Sequence, residues 1–255
     1  MIILNNRKYG KKNYKIIFLH HSTGGIISNG GQLRIRILSK LLRQKSFISN
    51  WFHDYNKLNK TNYQIEESYF PKSKIYGWKN YPYDYYNIWI KHAGIQYYKN
   101  EPTLEILTGK YDLIIFKHCF PVSSIMEDIS KPDIESSEKR VENYKLQYVA
   151  LKQKLHEFPN TKFLIWTGPA LVESQTTKEQ ALRSRKFFDW VRNEWNTPND
   201  NIYLWDFYQL ETEGTLYLKP EFAASPDNSH PNNSFAKRVS PLFCRRIVEV
   251  IEQNT

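Results

Sequence analysis

Short apolar runs alternate along this chain with longer stretches in which apolar residues return every three or four positions. Lys15–His20 (KIIFLH) carries four consecutive apolar residues and stops at Ser22-Thr23-Gly24-Gly25, the pattern of a buried strand that ends in a turn. Leu33, Ile37, Leu38, Leu41 and Leu42 then fall near one face of a helix. Asp112–Phe116, Lys162–Trp166 and Asn201–Asp206 repeat the buried-strand pattern, and a weaker one spans Phe47–Phe52. Helical spacing covers Ser137–Phe158, Thr177–Trp195 and Asn233–Gln253, the last with Val239, Phe243, Ile247, Val248 and Ile251 as its inner face. Strands alternating with helices imply βα units, hence an α/β chain whose mostly parallel sheet of about five strands has helices on both faces.

The stretch Asn56–Glu101 breaks this rhythm. It is rich in Tyr, Trp, Asn, Lys and Pro, and Asn80–Trp89 alone holds five aromatic residues. Without a linker on either side, it reads as an aromatic-rich insertion packed on the main domain, so residues 1–255 are expected to form one domain. Long loops at the carboxyl ends of strands shape ligand sites. Aromatic packing of an irregular segment accounts for the composition equally well.

Composition narrows the class. In 255 residues, 40% hydrophobic and 24% charged residues suit a globular chain with a sizeable core. A 15% aromatic content is too much surface to leave in water, which excludes disorder for the bulk of it. No apolar run approaches the ~18 residues of a membrane helix, so no membrane insertion is expected. The apolar stretch at the N-terminus is too short for a signal peptide, which makes the cytoplasm the expected location. Two cysteines, Cys119 and Cys244, exclude a disulfide scaffold and a four-cysteine zinc site. The 36 Lys and Arg exceed the 26 Asp and Glu to give a net charge of +10, but the basic residues are scattered. With no RRM, KH, zinc-finger or basic-helix pattern, a solvated basic surface is the expectation and nucleic acid is not an expected partner.

Two segments carry candidate chemistry. Ser22 lies where the first strand gives way to a glycine-assisted turn and a helix, which exposes its hydroxyl near helix N-terminal amides. A helix N-cap is the ordinary role of such a serine. Near the other end, Asp227 precedes His230 by three residues, just ahead of the last helix. That spacing lets His230 act as a base with Asp227 orienting its ring, although a Pro-flanked loop with a solvated histidine fits the same residues. Cys119 sits at a strand end near histidines, where packing is a more ordinary role than nucleophilic attack. His20, His21, His118 and His230 lack any zinc-ligand spacing, so no metal is expected. His20–Gly25 has neither the lysine of a P-loop nor G-x-G-x-x-G spacing.

Taken together, the order Ser, Asp, His, with the serine after the first strand and Asp-x-x-His before the terminal helix, resembles the SGNH hydrolase superfamily of GDSL-type esterases and lipases. HHSTGG at His20–Gly25, FKHCFPVS at Phe116–Ser123 and DNSHPN at Asp227–Asn232 are also similar to a bacterial subgroup with HHSTG, FK-x-CFPVS and DSHPN blocks. The resemblance implies a flavodoxin-like three-layer α/β/α sandwich and hydrolysis or transfer of ester-linked acyl groups without a cofactor. It implies Ser22 as nucleophile, His230 as base and Asp227 as its orienting acid. The chain departs from the family at two places. His20-His21-Ser22 replaces Gly-Asp-Ser, the Gly-x-Asn-Asp block after the third strand is absent, and Lys117-His118-Cys119 stands there instead. The implied oxyanion donors are the Ser22 amide, Gly94 by its order along the chain, and either His118 or the Cys119 amide. His21 and Lys117 are candidate substrate contacts. A carbohydrate ester is the expected substrate, because aromatic faces suit sugar rings. A non-catalytic carbohydrate-binding or polysaccharide-assembly protein on the same fold is the alternative that the altered oxyanion block raises.

Overall fold

The computed structural model describes residues 13–32, 46–72, 74–129 and 131–253. Five strands, β1 (Asn13–His20), β2 (Asn62–Tyr69), β3 (Leu113–Phe116), β4 (Lys162–Trp166) and β5 (Ile202–Trp205), form one sheet in the order β2-β1-β3-β4-β5. Every pairing is parallel, with helices on both faces, as the strand–helix alternation predicts, and the strand order is that of the flavodoxin-like α/β/α arrangement that the family resemblance implies. Every residue of β3 and β4 is buried, as strands covered on both faces require.

The helices among the described residues are α1 (Ser22–Ser28), α2 (Phe47–Asn59), α3 (Pro82–Tyr85), α4 (Leu104–Thr108), α5 (Val141–His156), α6 (Lys178–Trp190), α7 (Phe207–Thr212) and α8 (Asn233–Glu252). On one face, Phe243 of α8 packs on Phe18, Trp166 and Trp205, with ring centroids 5.1, 4.7 and 5.6 Å away. On the other, Tyr85 of α3 stacks on Phe116, and Tyr148 of α5 meets Phe187 of α6. The helix expected up to Trp195 does reach it, its last turn Val191–Trp195 widening to π geometry. The expected helix through Leu33–Leu42 lies outside the described residues.

Two expectations change together. Phe47–Phe52 is not a strand but the start of α2. Ser46 caps it by accepting from the Ser49 amide at 3.2 Å, and Ile48 and Phe52, four residues apart, are its buried positions. The missing strand is β2, inside the supposed insertion. Tyr63, Ile65 and Glu67 alternate on one face of this edge strand, as period-two geometry demands, but the third of them is a carboxylate. A charged residue at an inward position hides the alternation from a hydrophobicity reading.

Glu67 is nonetheless a structural centre. Its carboxylate accepts from His20 Nε2 of β1 at 3.1 Å, from Ser46 Oγ at 2.6 Å, and from Ser28 Oγ at the end of α1. Burial works against its charge. The His20 ring, by hydrogen bond and by charge, and then the two serines, reverse this and hold its pKa below the ordinary range. The same His20 side chain lies directly under α1, where a Cβ on Gly24 would come within 2.4 Å of His20 Cβ. Only glycine lets α1 approach the sheet this closely.

Gly24→Ala is therefore expected to lower stability by about 1–3 kcal/mol, the usual cost of overpacking, read as a fall in melting temperature. An unchanged melting temperature would mean that α1 is not clamped on His20.

Candidate active site

In an open parallel sheet, ligands bind beyond the carboxyl ends of the strands where the strand order reverses. Here the order reverses between β1 and β3. Ser22 follows the end of β1 at that point, as the first residue of α1, and is partly exposed. His21 precedes it with extended backbone and no side-chain cap, so the first-turn amides of α1 are left without an intrahelical acceptor.

His230 comes from a hairpin, β6 (Ala223–Ser225) with β7 (Asn228–Pro231), just before α8. Ser22 and His230 line one cleft of about 430 Å³, together with Gly25, Ile26, Asn29 and Asn228. His230 Nδ1 is 2.8 Å from Asn228 Oδ1, and the same oxygen accepts the His230 backbone amide at 3.1 Å. An amide oxygen can only accept, so Nδ1 carries the proton and donates it to this bond, and Nε2 is the ring nitrogen that can accept one. The ring edge-packs on Phe120, with centroids 4.9 Å apart. The hairpin is fastened from behind by the loop after β4. Val172 N donates to Ser229 Oγ at 3.0 Å, and Gln175 Nε2 to the Asp227 carbonyl at 2.6 Å.

The remaining expected site residues fall elsewhere. The exposed carboxylate of Asp227 accepts from Ser225 Oγ, which holds its pKa low, and the contact at His230 Nδ1 comes from Asn228 instead. Gly94 gives its amide to the Glu105 carboxylate, which pairs with Lys154 at 2.7 Å in the last turn of α5. That turn leads into β4, so Gly94 lies toward the amino edge of the sheet, opposite Ser22. His118 is fully buried on the α3–α5 face, 2.8 Å from Tyr148 Oη, and burial drives its pKa down to about 3. A neutral imidazole there packs the core and faces no cleft. The Cys119 amide donates to the Asn80 carbonyl at 2.8 Å. His21 Nε2 donates to the Pro71 carbonyl at 2.6 Å, which ties the end of β1 to the segment after β2. Lys117 is buried, its Nζ 3.9 Å from Cys119 Sγ, so it lies below the site. Among the described residues no group of three or more His, Cys, Asp or Glu is placed to hold a metal.

Sequence reasoning missed Asn228, Phe120 and Glu211. Asn228 was legible as an Asx turn, an Asn whose side chain accepts the amide two residues on. Glu211 of α7 is fully buried, and its Oε2 accepts the Ala170 amide at 2.7 Å in the loop that backs the His230 hairpin. Burial pushes its pKa up to about 8, with the Ala170 amide and then Lys117 opposing.

Between the ordinary carboxyl value of 4.5 and about 8, Glu211 holds its proton more fully in the folded state than in the unfolded chain, so stability falls as pH rises through that window. Glu211→Gln is expected to flatten this fall, on the order of a few kcal/mol, in urea unfolding followed from about pH 5 to 8. A slope unchanged by the substitution would mean that Glu211 titrates as an exposed acid does.

No family model matches the chain, and no curated protein is similar to it. Several solved structures are similar to it in overall path. One, from Bacteroides fragilis, is described as an acylhydrolase; it is 10% identical over 96% of this chain and 92% of its own, with a TM-score of 0.44. A second is a carbohydrate esterase family 2 enzyme with a carbohydrate-binding domain from Corynascus thermopiles (Myceliophthora fergusii). It is 12% identical over 96% of this chain and 68% of its own, with a TM-score of 0.46. The third is a carbohydrate esterase whose active site displays divergent catalytic and non-catalytic binding functions, 12% identical over 95% and 71%, with a TM-score of 0.42.

Proposed function

We propose that this protein is a serine ester hydrolase or acyltransferase of the SGNH type, acting on an ester-linked acyl group such as a carbohydrate O-acetyl ester. The observation that carries the reading is that Ser22 and His230, from opposite ends of the chain, line one cleft at the switch point of the sheet. Ser22 Oγ attacks the acyl carbon as His230 Nε2 takes its proton. The oxyanion forms beside the N-terminus of α1, where the Ser22 amide donates to it. His230 returns the proton to the leaving alkoxide, and water or another hydroxyl then takes the acyl group from Ser22.

In this reading Asn228, not Asp227, orients the histidine. Its amide oxygen fixes the tautomer but adds no negative charge to stabilise the imidazolium, so catalysis leans more on placement and less on charge. Gly25, Ile26 and Ala224 offer a small acyl group apolar surface, while Asn29, Gln32 and Asn233 suit sugar hydroxyls. A binding protein without turnover is the second reading. It is favoured by one observation: the amides of Gly94 and Cys119 already have acceptors.

On a short-chain chromogenic ester, Ser22→Ala is expected to lower kcat at least about 10³-fold with the melting temperature unchanged. Asn228→Ala should cost on the order of 10²-fold through misplacement of the ring, and Asp227→Asn far less. A loss on Asp227→Asn as large as that on His230→Ala would return the orienting role to the carboxylate. Absence of turnover by the wild-type protein, with sugar binding retained at the cleft, would favour the second reading.

A further inference from the structure

The segment after β2 carries a surface that the catalytic reading does not use. Between Pro71 and Glu101 the chain has five lysines, no arginine and two carboxylates, Asp84 and Glu101. Both carboxylates are buried, whereas Lys72, Lys79, Lys91 and Lys99 are exposed. Lys91 is paired with Glu135 of the neighbouring loop at 2.9 Å. What this segment itself shows to solvent is thus cationic. Two aliphatic side chains stand out of it, Ile75 at 90% and Ile95 at 85% exposure, with Tyr76 and Tyr97 also exposed.

These tips flank one rigid cluster. Lys99 Nζ lies over the rings of Tyr76, Trp78 and Tyr98, 5.4–5.6 Å from each centroid. His92 stacks on Tyr98 with centroids 3.6 Å apart and planes 8° apart. Tyr76 follows Ile75 directly, and Tyr98 comes three residues after Ile95, so both isoleucines lie within three residues of the same ring cluster.

We propose that this surface docks peripherally on an anionic lipid bilayer, the isoleucines entering the headgroup–acyl boundary and the lysines meeting lipid phosphates and carboxylates. Fully exposed aliphatic tips inside a cationic surround gain from that boundary and from nothing in water. An acidic polysaccharide would use the lysines, but sugar rings stack on open aromatic faces. Here an ammonium sits over Tyr76, Trp78 and Tyr98, and His92 covers Tyr98. No helix among the described residues is long and apolar enough to cross a membrane, so the contact is interfacial.

Cosedimentation with vesicles tests this without reference to catalysis. Wild-type protein is expected to pellet with phosphatidylcholine vesicles containing about a third phosphatidylserine, weakly with phosphatidylcholine alone, and less as salt rises above about 0.1 M. The double variant Ile75→Ser/Ile95→Ser should partition at least about tenfold less with an unchanged melting temperature, since both side chains are free of the core. Three results would overturn the proposal. The first is no pelleting with anionic vesicles, and the second is equal pelleting of the double variant. The third is binding to polygalacturonate, or self-association in sedimentation, that accounts for the surface while vesicles are ignored.

Discussion

A half-buried carboxylate holds together the edge of this protein that carries the candidate site. Partial removal of Glu67 from water disfavours its charge, and hydrogen bonds together with an opposite charge recover it. Each group that does so belongs to a different element: His20 to β1, Ser28 to α1, Ser46 to the cap of α2. Satisfying one charge therefore fixes four segments at once, since Glu67 itself lies on β2. Removing any one partner would leave part of a half-buried charge uncompensated, which makes the arrangement cooperative rather than a sum of contacts.

The position of Ser22 follows from that constraint. His20 is held by Glu67, Gly24 lies against His20, and Ser22 begins the helix that Gly24 brings close. The second half of the site has a separate anchor. Glu211 holds the loop after β4, and Val172 and Gln175 of that loop hold the His230 hairpin. Two networks, one around the half-buried Glu67 and one around the buried Glu211, thus present a serine and a histidine to one cleft. They differ in charge state, as Glu67 is kept ionised by its partners while burial favours the neutral form of Glu211.

Strands flanked by turn residues were legible wherever both faces are apolar, as in β1, β3, β4 and β5, and so was the terminal helix. Strand β2 was not, because Glu67 occupies an inward position. Its absence from the pattern made Phe47–Phe52, where a helix shows only two buried positions, look like the fifth strand. At the site, Ser22 and His230 were legible because a Gly-rich turn and a Pro-flanked loop mark strand and helix ends. Gly94 rests on its order along the chain, and His118 and Cys119 on standing where the family has Gly-x-Asn-Asp; neither says which face a residue takes. His118 turns under α5, and the amides of Gly94 and Cys119 already serve Glu105 and Asn80.

The central claim is that Ser22 is activated by His230 within their shared cleft. Labelling with a fluorophosphonate, followed by peptide mapping, tests it most directly, because only a serine whose proton is removed by a nearby base attacks phosphorus quickly. The account expects one adduct on Ser22, abolished by His230→Ala in a protein that remains folded. No adduct, or an adduct on Ser22 that forms equally fast without His230, would contradict it.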